Sequence, residues 1–210
     1  MAGKLEGANM ETLKYILKKY DLDSTQFLLE IPLRRHIEYP ILLKELGLKK
    51  GVEIGVYRGE FAEVLKKAIP DLDLIGVDPW IAYEGYNCEG GKPEDLETVA
   101  YGEAKARAEK FDFKIMKAWS VDAVKEFADE SLDFVFIDGN HDFEHVVEDV
   151  AKWSRKVRKG GLVSGHDFLK KRHKGYGVRE AIPAWCECNN IKPLFALTKD
   201  SYPSWFYVKS

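Results

Sequence analysis

From residue 50 onward the chain alternates short apolar runs with segments of helical period, and this alternation restricts its fold more than any other feature. The run 51–56, GVEIGV, has the length and composition of a buried strand. Behind it, Phe61, Val64, Leu65 and Ala68 recur at helical spacing. The pattern repeats: a strand at 73–78, a helix at about 94–110, and a strand at 113–119. A short helix, SVDAVKEFA, precedes a strand at 132–138 and an amphipathic helix at 143–157. The segment KGGLVSGHD holds another strand, and YGVREAIPAWCECN is expected to be helical on both sides of Pro183. IKPLFALT and SWFYVK close the chain as strands, joined by KDSYP closely enough for a hairpin. Strand–helix alternation with short turns implies parallel strands linked by right-handed crossovers. The expected fold class is α/β, doubly wound, with a mostly parallel sheet and one antiparallel strand at its end.

Residues 1–46 break the pattern. METLKYILKKYDL and YPILLKELGL read as helices with no strand between them, so this segment is expected to form a helical N-terminal cap on a domain spanning 47–210. A chain of 210 residues supports one full α/β core and hardly two. Its net charge of -3 gives no overall attraction to nucleic acid or anionic membrane. No apolar run approaches the roughly 20 residues needed to cross a bilayer, and the first ten residues lack the apolar centre of a secretory signal. The expected location is cytoplasmic. Cys88, Cys186 and Cys188 are an odd set with no second C-x-C or C-x-x-C, which argues for reduced thiols over a disulfide framework or a metal knuckle.

In an open α/β sheet, ligands bind where the strands end at their carboxyl edge. After the first strand comes E-I-G-V-Y-R-G, with Glu53, Gly55 and Gly59. Gly55 permits a tight turn, and Gly59 at the helix start lets a ligand approach backbone amides. The third glycine of a dinucleotide fingerprint is missing. The second strand ends in Asp78, 23 positions beyond Gly55, where a carboxylate can accept both ribose hydroxyls of a nucleoside. After the third, Trp119 and Ser120 offer an aromatic face and a hydroxyl, and Trp80 is a second candidate for stacking.

Taken in order, E-x-G-x-x-x-G, LIGVDPW, LDFVFIDGNH and KGGLVSGHD resemble the class I S-adenosylmethionine-dependent methyltransferases over roughly residues 40–208. More narrowly, I-D-G-x-H followed by G-G-x-x-x-G-H-D is similar to the cephalosporin-hydroxylase-like and macrolide-sugar O-methyltransferases. The resemblance implies a Rossmann-like, seven-stranded sheet with an antiparallel last strand. It implies S-adenosylmethionine as cofactor, with Glu53, Gly55, Tyr57 and Gly59 on the methionine and ribose side and Asp78 on the ribose hydroxyls. Trp119, Ser120 and Asp138 then fall near the adenine and the sulfonium.

Asp138 ends one strand and His166–Asp167 the next. Neighbouring parallel strands lie about 4.8 Å apart, so these groups can converge on an oxygen-rich site suited to Mg²⁺ or Mn²⁺. Structural capping by Asp138 and a buried structural His166 is the alternative. Some relatives in the resembled branch carry an acidic pair at the 166–167 position, where this chain has His166. His141, three residues past Asp138, is the candidate general base for a substrate hydroxyl, and the resembled sugar enzymes use a histidine at that offset. H-x-x-E-H, read from His141 to His145, also has the spacing of an inverted zinc-peptidase helix, but its first histidine falls in a strand-to-helix turn.

The expected activity is O-methylation of a small hydroxylated acceptor, a sugar or secondary metabolite, assisted by a divalent cation. Lys170–Lys174 would suit an anionic acceptor, and Arg34, Arg35 and His36 are further candidates for substrate contact. Membrane and nucleic acid are not expected partners; a homo-oligomer is compatible with the sequence. A non-catalytic nucleoside-binding module of the same fold and an NAD-dependent oxidoreductase are the alternatives.

Overall fold

The computed structural model describes residues 2–83, 95–169 and 176–210, with backbone alone for 2–10. Cys88 and the basic run Lys170–Lys174 lie outside the described residues. The chain opens with α1 (Ala2–Tyr20), β1 (Leu28–Ile31) and α2 (Glu38–Glu45). The alternating part follows as β2 (Lys50–Ile54), α3 (Glu60–Ala68), β3 (Asp73–Asp78), α4 (Tyr101–Phe111), β4 (Lys114–Lys117) and α5 (Ser120–Ala123). It continues through β5 (Leu132–Ile137), α6 (Phe143–Trp153), β6 (Val157–Gly165) and α7 (Val178–Cys188), and ends with β7 (Leu194–Leu197) and β8 (Ser204–Val208).

The strands form one sheet in the order β1-β7-β8-β6-β5-β2-β3-β4. β8 runs antiparallel to both β6 and β7; the other pairings are parallel. The strand order reverses between β2 and β5, so the expected crevice lies over their carboxyl ends. The doubly wound sheet with an antiparallel last strand is as expected, and an eighth strand extends it. β1 pairs in register with β7, Leu28 opposite Leu194 and Ile31 opposite Leu197. The N-terminal segment was expected to be helical with no strand, because four residues are too few to display a period. The physical cue is Pro32, which disfavours the helical region for Ile31 and leaves it extended.

Side-chain alternation along the central strands separates two cores. Phe134 and Phe136 of β5 join Phe61 and Leu65 of α3, Tyr39, Leu42 and Leu43 of α2, and Ile16 of α1. Val135 and Ile137 face the other way, onto Val146, Val150 and Trp153 of α6 and Ala181 and Ile182 of α7. α7 continues through Pro183 as one helix. Cys186 lies buried there as a free thiol, its pKa pushed up to about 12 by burial first and the Glu187 charge second. No helix among the described residues is long and apolar enough to cross a membrane.

Candidate functional site

A cavity of about 890 Å³ runs along the carboxyl edge, near the top of the range for small-molecule pockets. Its walls come from the tips of five strands: Gly55 after β2, Asp78 of β3, Trp119 and Ser120 after β4, Asp138 after β5, and His166 and Asp167 after β6.

One end is made mostly of backbone and aromatic surface. Gly55 has φ +84°, and a Cβ there would collide with the carbonyl of Asp138, so only glycine lets the turn pass. Tyr57 and Trp80 also lie in the left-handed region, at φ 50° and 48°. Both donate backbone N–H bonds to Asp78, at 2.9 Å to Oδ2 and 2.7 Å to Oδ1. Burial raises the Asp78 pKa, and these amide bonds oppose the rise. Tyr57 lines the cavity. Trp80 is not a stacking face: its ring is fully buried, donates Nε1–H to the Tyr57 carbonyl at 2.7 Å, and packs on Tyr101. Trp119 keeps 41% of its surface exposed, with Tyr83 edge-on at 5.4 Å. Ser120 donates its hydroxyl to Asp149 and accepts Nε1–H of Trp153. Gly59 caps α3 away from the cavity, packed against Ala104 and Phe113. Glu53 is buried behind the wall. Its pKa is pushed well above the usual carboxylate range by burial first and the Asp138 charge second, and Oε2 has no hydrogen-bond partner among the described residues.

The other end is dense in charge. Nε2 of His141 lies 2.8 Å from Asp167 Oδ2 and 3.6 Å from Asp138 Oδ1. Nδ1 of His166 lies 3.3 Å and 3.7 Å from the same two oxygens. Asp138, His141 and Asp167 each offer a ligand atom within 4.8 Å of the others. The tight set thus includes His141 where the sequence pointed to His166, although His166 reaches the same oxygens. At 2.8 Å from a carboxylate, Nε2 of His141 still lacks a properly directed hydrogen bond. Ligand atoms that converge this closely fit a cation between them.

Burial alone would lower the His141 pKa, but the close carboxylates of Asp138 and Asp167 together outweigh it and push it up to about 10. Burial likewise works against ionisation of Asp167, which the two imidazoles hold well below the usual carboxylate range. Asp138 is lowered too, with His166, His141 and Arg35 overcoming burial. The ring of His141 stacks on Tyr176 at 4.9 Å. His145 is half exposed on α6, paired loosely with Asp142, and His141 precedes the helix, so the zinc-peptidase spacing forms no common face.

Arg35 and His36 reach this end from the segment between β1 and α2. Arg34 turns outward to Glu38. Tyr83, Asn140, Asp149, Tyr176 and Tyr202 also line the cavity and were not anticipated. Asp149 had a readable signal: it interrupts the apolar stripe Val146–Val150–Trp153, so an acid must face inward.

Residues 52–168 match the family described as "Methyltransferase domain". The chain belongs to that family. Among solved structures it is similar to the O-methyltransferase of Bacillus cereus in complex with SAH, at 14% identity and a TM-score of 0.62, covering 99% of this chain and 91% of that one. TomG of Streptomyces achromogenes, an O-methyltransferase of tomaymycin synthesis solved with SAM, gives 15% identity and 0.59, covering 97% and 90%. Such distant likenesses establish a methyltransferase fold of the Rossmann type. Uncharacterized protein R132 of Acanthamoeba polyphaga mimivirus is 26% identical over 125 residues, 58% of this chain. The chain spans 52% of that relative's length.

Proposed function

We propose that this methyltransferase uses S-adenosylmethionine to methylate a hydroxyl of a small molecule, a sugar or secondary metabolite, with a divalent cation at the charged end of the cavity. The single observation that carries the reading is the arrangement of one continuous cavity, with an aromatic and glycine-turned end beside converging Asp138, His141, His166 and Asp167. The structures of the B. cereus enzyme and TomG, solved with SAH and SAM, support the cofactor.

In this reading Gly55 and Tyr57 pass the chain under the cofactor, Asp78 accepts its ribose hydroxyls, and Trp119 and Ser120 border its base. Asp138, Asp167 and His166 would hold the cation. When bound, the sulfonium supplies an electrophilic methyl group and the cation lowers the pKa of a hydroxyl beside it. His141, the more exposed imidazole, borders the open space and takes the hydroxyl proton at Nε2. In the protein alone, the two carboxylates keep that nitrogen protonated above neutrality, so neutralising them frees it to act as a base. The walls then need only align acceptor oxygen, methyl and leaving sulfur. The 2.8 Å contact of His141 with Asp167 favours a second arrangement, with His141 as ligand and His166 as proton acceptor.

Calorimetric titration with S-adenosylmethionine, S-adenosylhomocysteine and NAD separately tests the cofactor, and transfer of a labelled methyl group to a panel of hydroxylated acceptors tests the reaction. Heat from NAD alone would overturn the reading; binding without transfer to any acceptor would favour a non-catalytic module. His141→Ala separates the two imidazole roles, since Mn²⁺ binding survives only if His141 is the base. Cytoplasmic location, the division of the chain at residue 46, an anionic acceptor and a homo-oligomer belong to the same reading.

A further inference from the structure

The acid at the tip of β5 is already held by a permanent cation. Nη1 of Arg35 lies 2.6 Å from Oδ2 of Asp138, with both side chains mostly buried. Three features fix the guanidinium. Its carbon sits 5.2 Å from the Phe61 ring centroid and 5.9 Å from that of Phe136. The Arg35 backbone N–H donates to Asp200 Oδ2 at 2.7 Å. The segment that carries it is bounded by β1, paired to β7, and by α2, whose Tyr39 is bonded to Ser164 of β6. Arg35 is therefore built in, and a guanidinium does not lose its proton in a protein.

We propose that Arg35 is a resident counter-ion that competes with the divalent cation for Asp138 and keeps that cation weakly held and exchangeable. This rests on the cation reading above. Arg35 is bonded to Oδ2, and Oδ1 is the oxygen that faces His141 and His166, so Asp138 would share its charge between the guanidinium and the cation. The guanidinium bond competes with bidentate coordination by Asp138, and the fixed positive charge repels a second cation across the same carboxyl group. A residue that only oriented Asp138 would act in the opposite sense, since its loss would weaken cation binding. The two roles are told apart by sign.

The experiment is a titration of the purified full chain with Mn²⁺, free ion followed by electron paramagnetic resonance, for wild type, R35M, R35Q and R35K. R35M keeps an unbranched apolar stem against Phe61 and Phe136, and R35Q keeps a donor without the charge, so either answers if the other fails to fold. The expected result is Mn²⁺ binding at least about tenfold tighter in R35M and R35Q, roughly 1.4 kcal/mol, with R35K within about threefold of wild type because it keeps the charge. Binding by wild type that is unchanged or weakened in folded R35M and R35Q overturns this inference and leaves the cation reading standing. Absence of Mn²⁺ binding from every variant, wild type included, overturns both.

Discussion

The two ends of the cavity are built by different means. At the Gly55–Asp78–Trp119 end, backbone does most of the shaping: a glycine turn, two left-handed residues and their amides arrayed around one carboxylate. At the Asp138–Asp167 end, side chains do it, with two acids, two imidazoles and one guanidinium in mutual contact. A site shaped mainly by backbone is fixed once the chain folds. A site made of charges can be retuned by any one of them. In the proposed reading, the first would recognise an unchanging cofactor and the second would activate an acceptor.

The sharpest way to break this contrast is Asp167→Ala, which strips a partner from both imidazoles. Methyl transfer is expected to fall by about 10²- to 10⁴-fold, the span of acid–base machinery, while S-adenosylhomocysteine affinity by calorimetry stays within about threefold. Loss of both together would mean the ends are not separable. The mirror experiment is Asp78→Ala, expected to weaken S-adenosylhomocysteine by about 10- to 100-fold through lost charge-assisted hydrogen bonds. Asp78→Asn, which keeps one acceptor, should fall between.

A third test probes a titrating group at the backbone-built end. The Asp149 pKa is pushed up to about 6 by burial first, against the Ser120 bond. A folded-state pKa above the unfolded one favours the protonated fold, so this carboxyl costs stability as pH rises from about 4 to about 6, and the cost stays in place above that. Asp149→Asn should therefore gain over wild type with rising pH, approaching about 3 kcal/mol at pH 7.5, as read by urea unfolding at pH 4.5 and 7.5. A gain independent of pH would refute the assignment. The smallest effect is expected for Trp119→Ala, about 1 kcal/mol or a fewfold loss of S-adenosylhomocysteine affinity.

How much could be read from the residues differs between those ends as well. The tips of the parallel strands were legible because each carries its signal in its own few residues: Gly55 in a strand–helix turn, Asp78 closing an apolar run, Asp138 and Asp167 likewise. Trp80 misled because a tryptophan after a strand looks the same from sequence whether it faces a cavity or the core. Here the left-handed backbone turns it inward onto Tyr101. Glu53 and Gly59 misled in the same way, since a turn of the chain decides on which side of the wall a residue stands. Arg35 could be suspected but not placed. Its position depends on β1 pairing across the sheet with β7, more than 160 residues away in sequence, and a four-residue strand announces no partner.

The contact between Gly55 and the Asp138 carbonyl gives these two ends a common partition wall, one residue thick. In the proposed reading, bulk introduced on the nucleoside side at position 55 would act as a wedge beneath the acid on the far side, tilting the pivot of the acceptor chemistry without touching an acceptor. Attempts to re-engineer the protein for a larger cofactor analogue would do better to carve elsewhere, because widening the enclosure at that turn deforms the anvil on which the second reactant must rest.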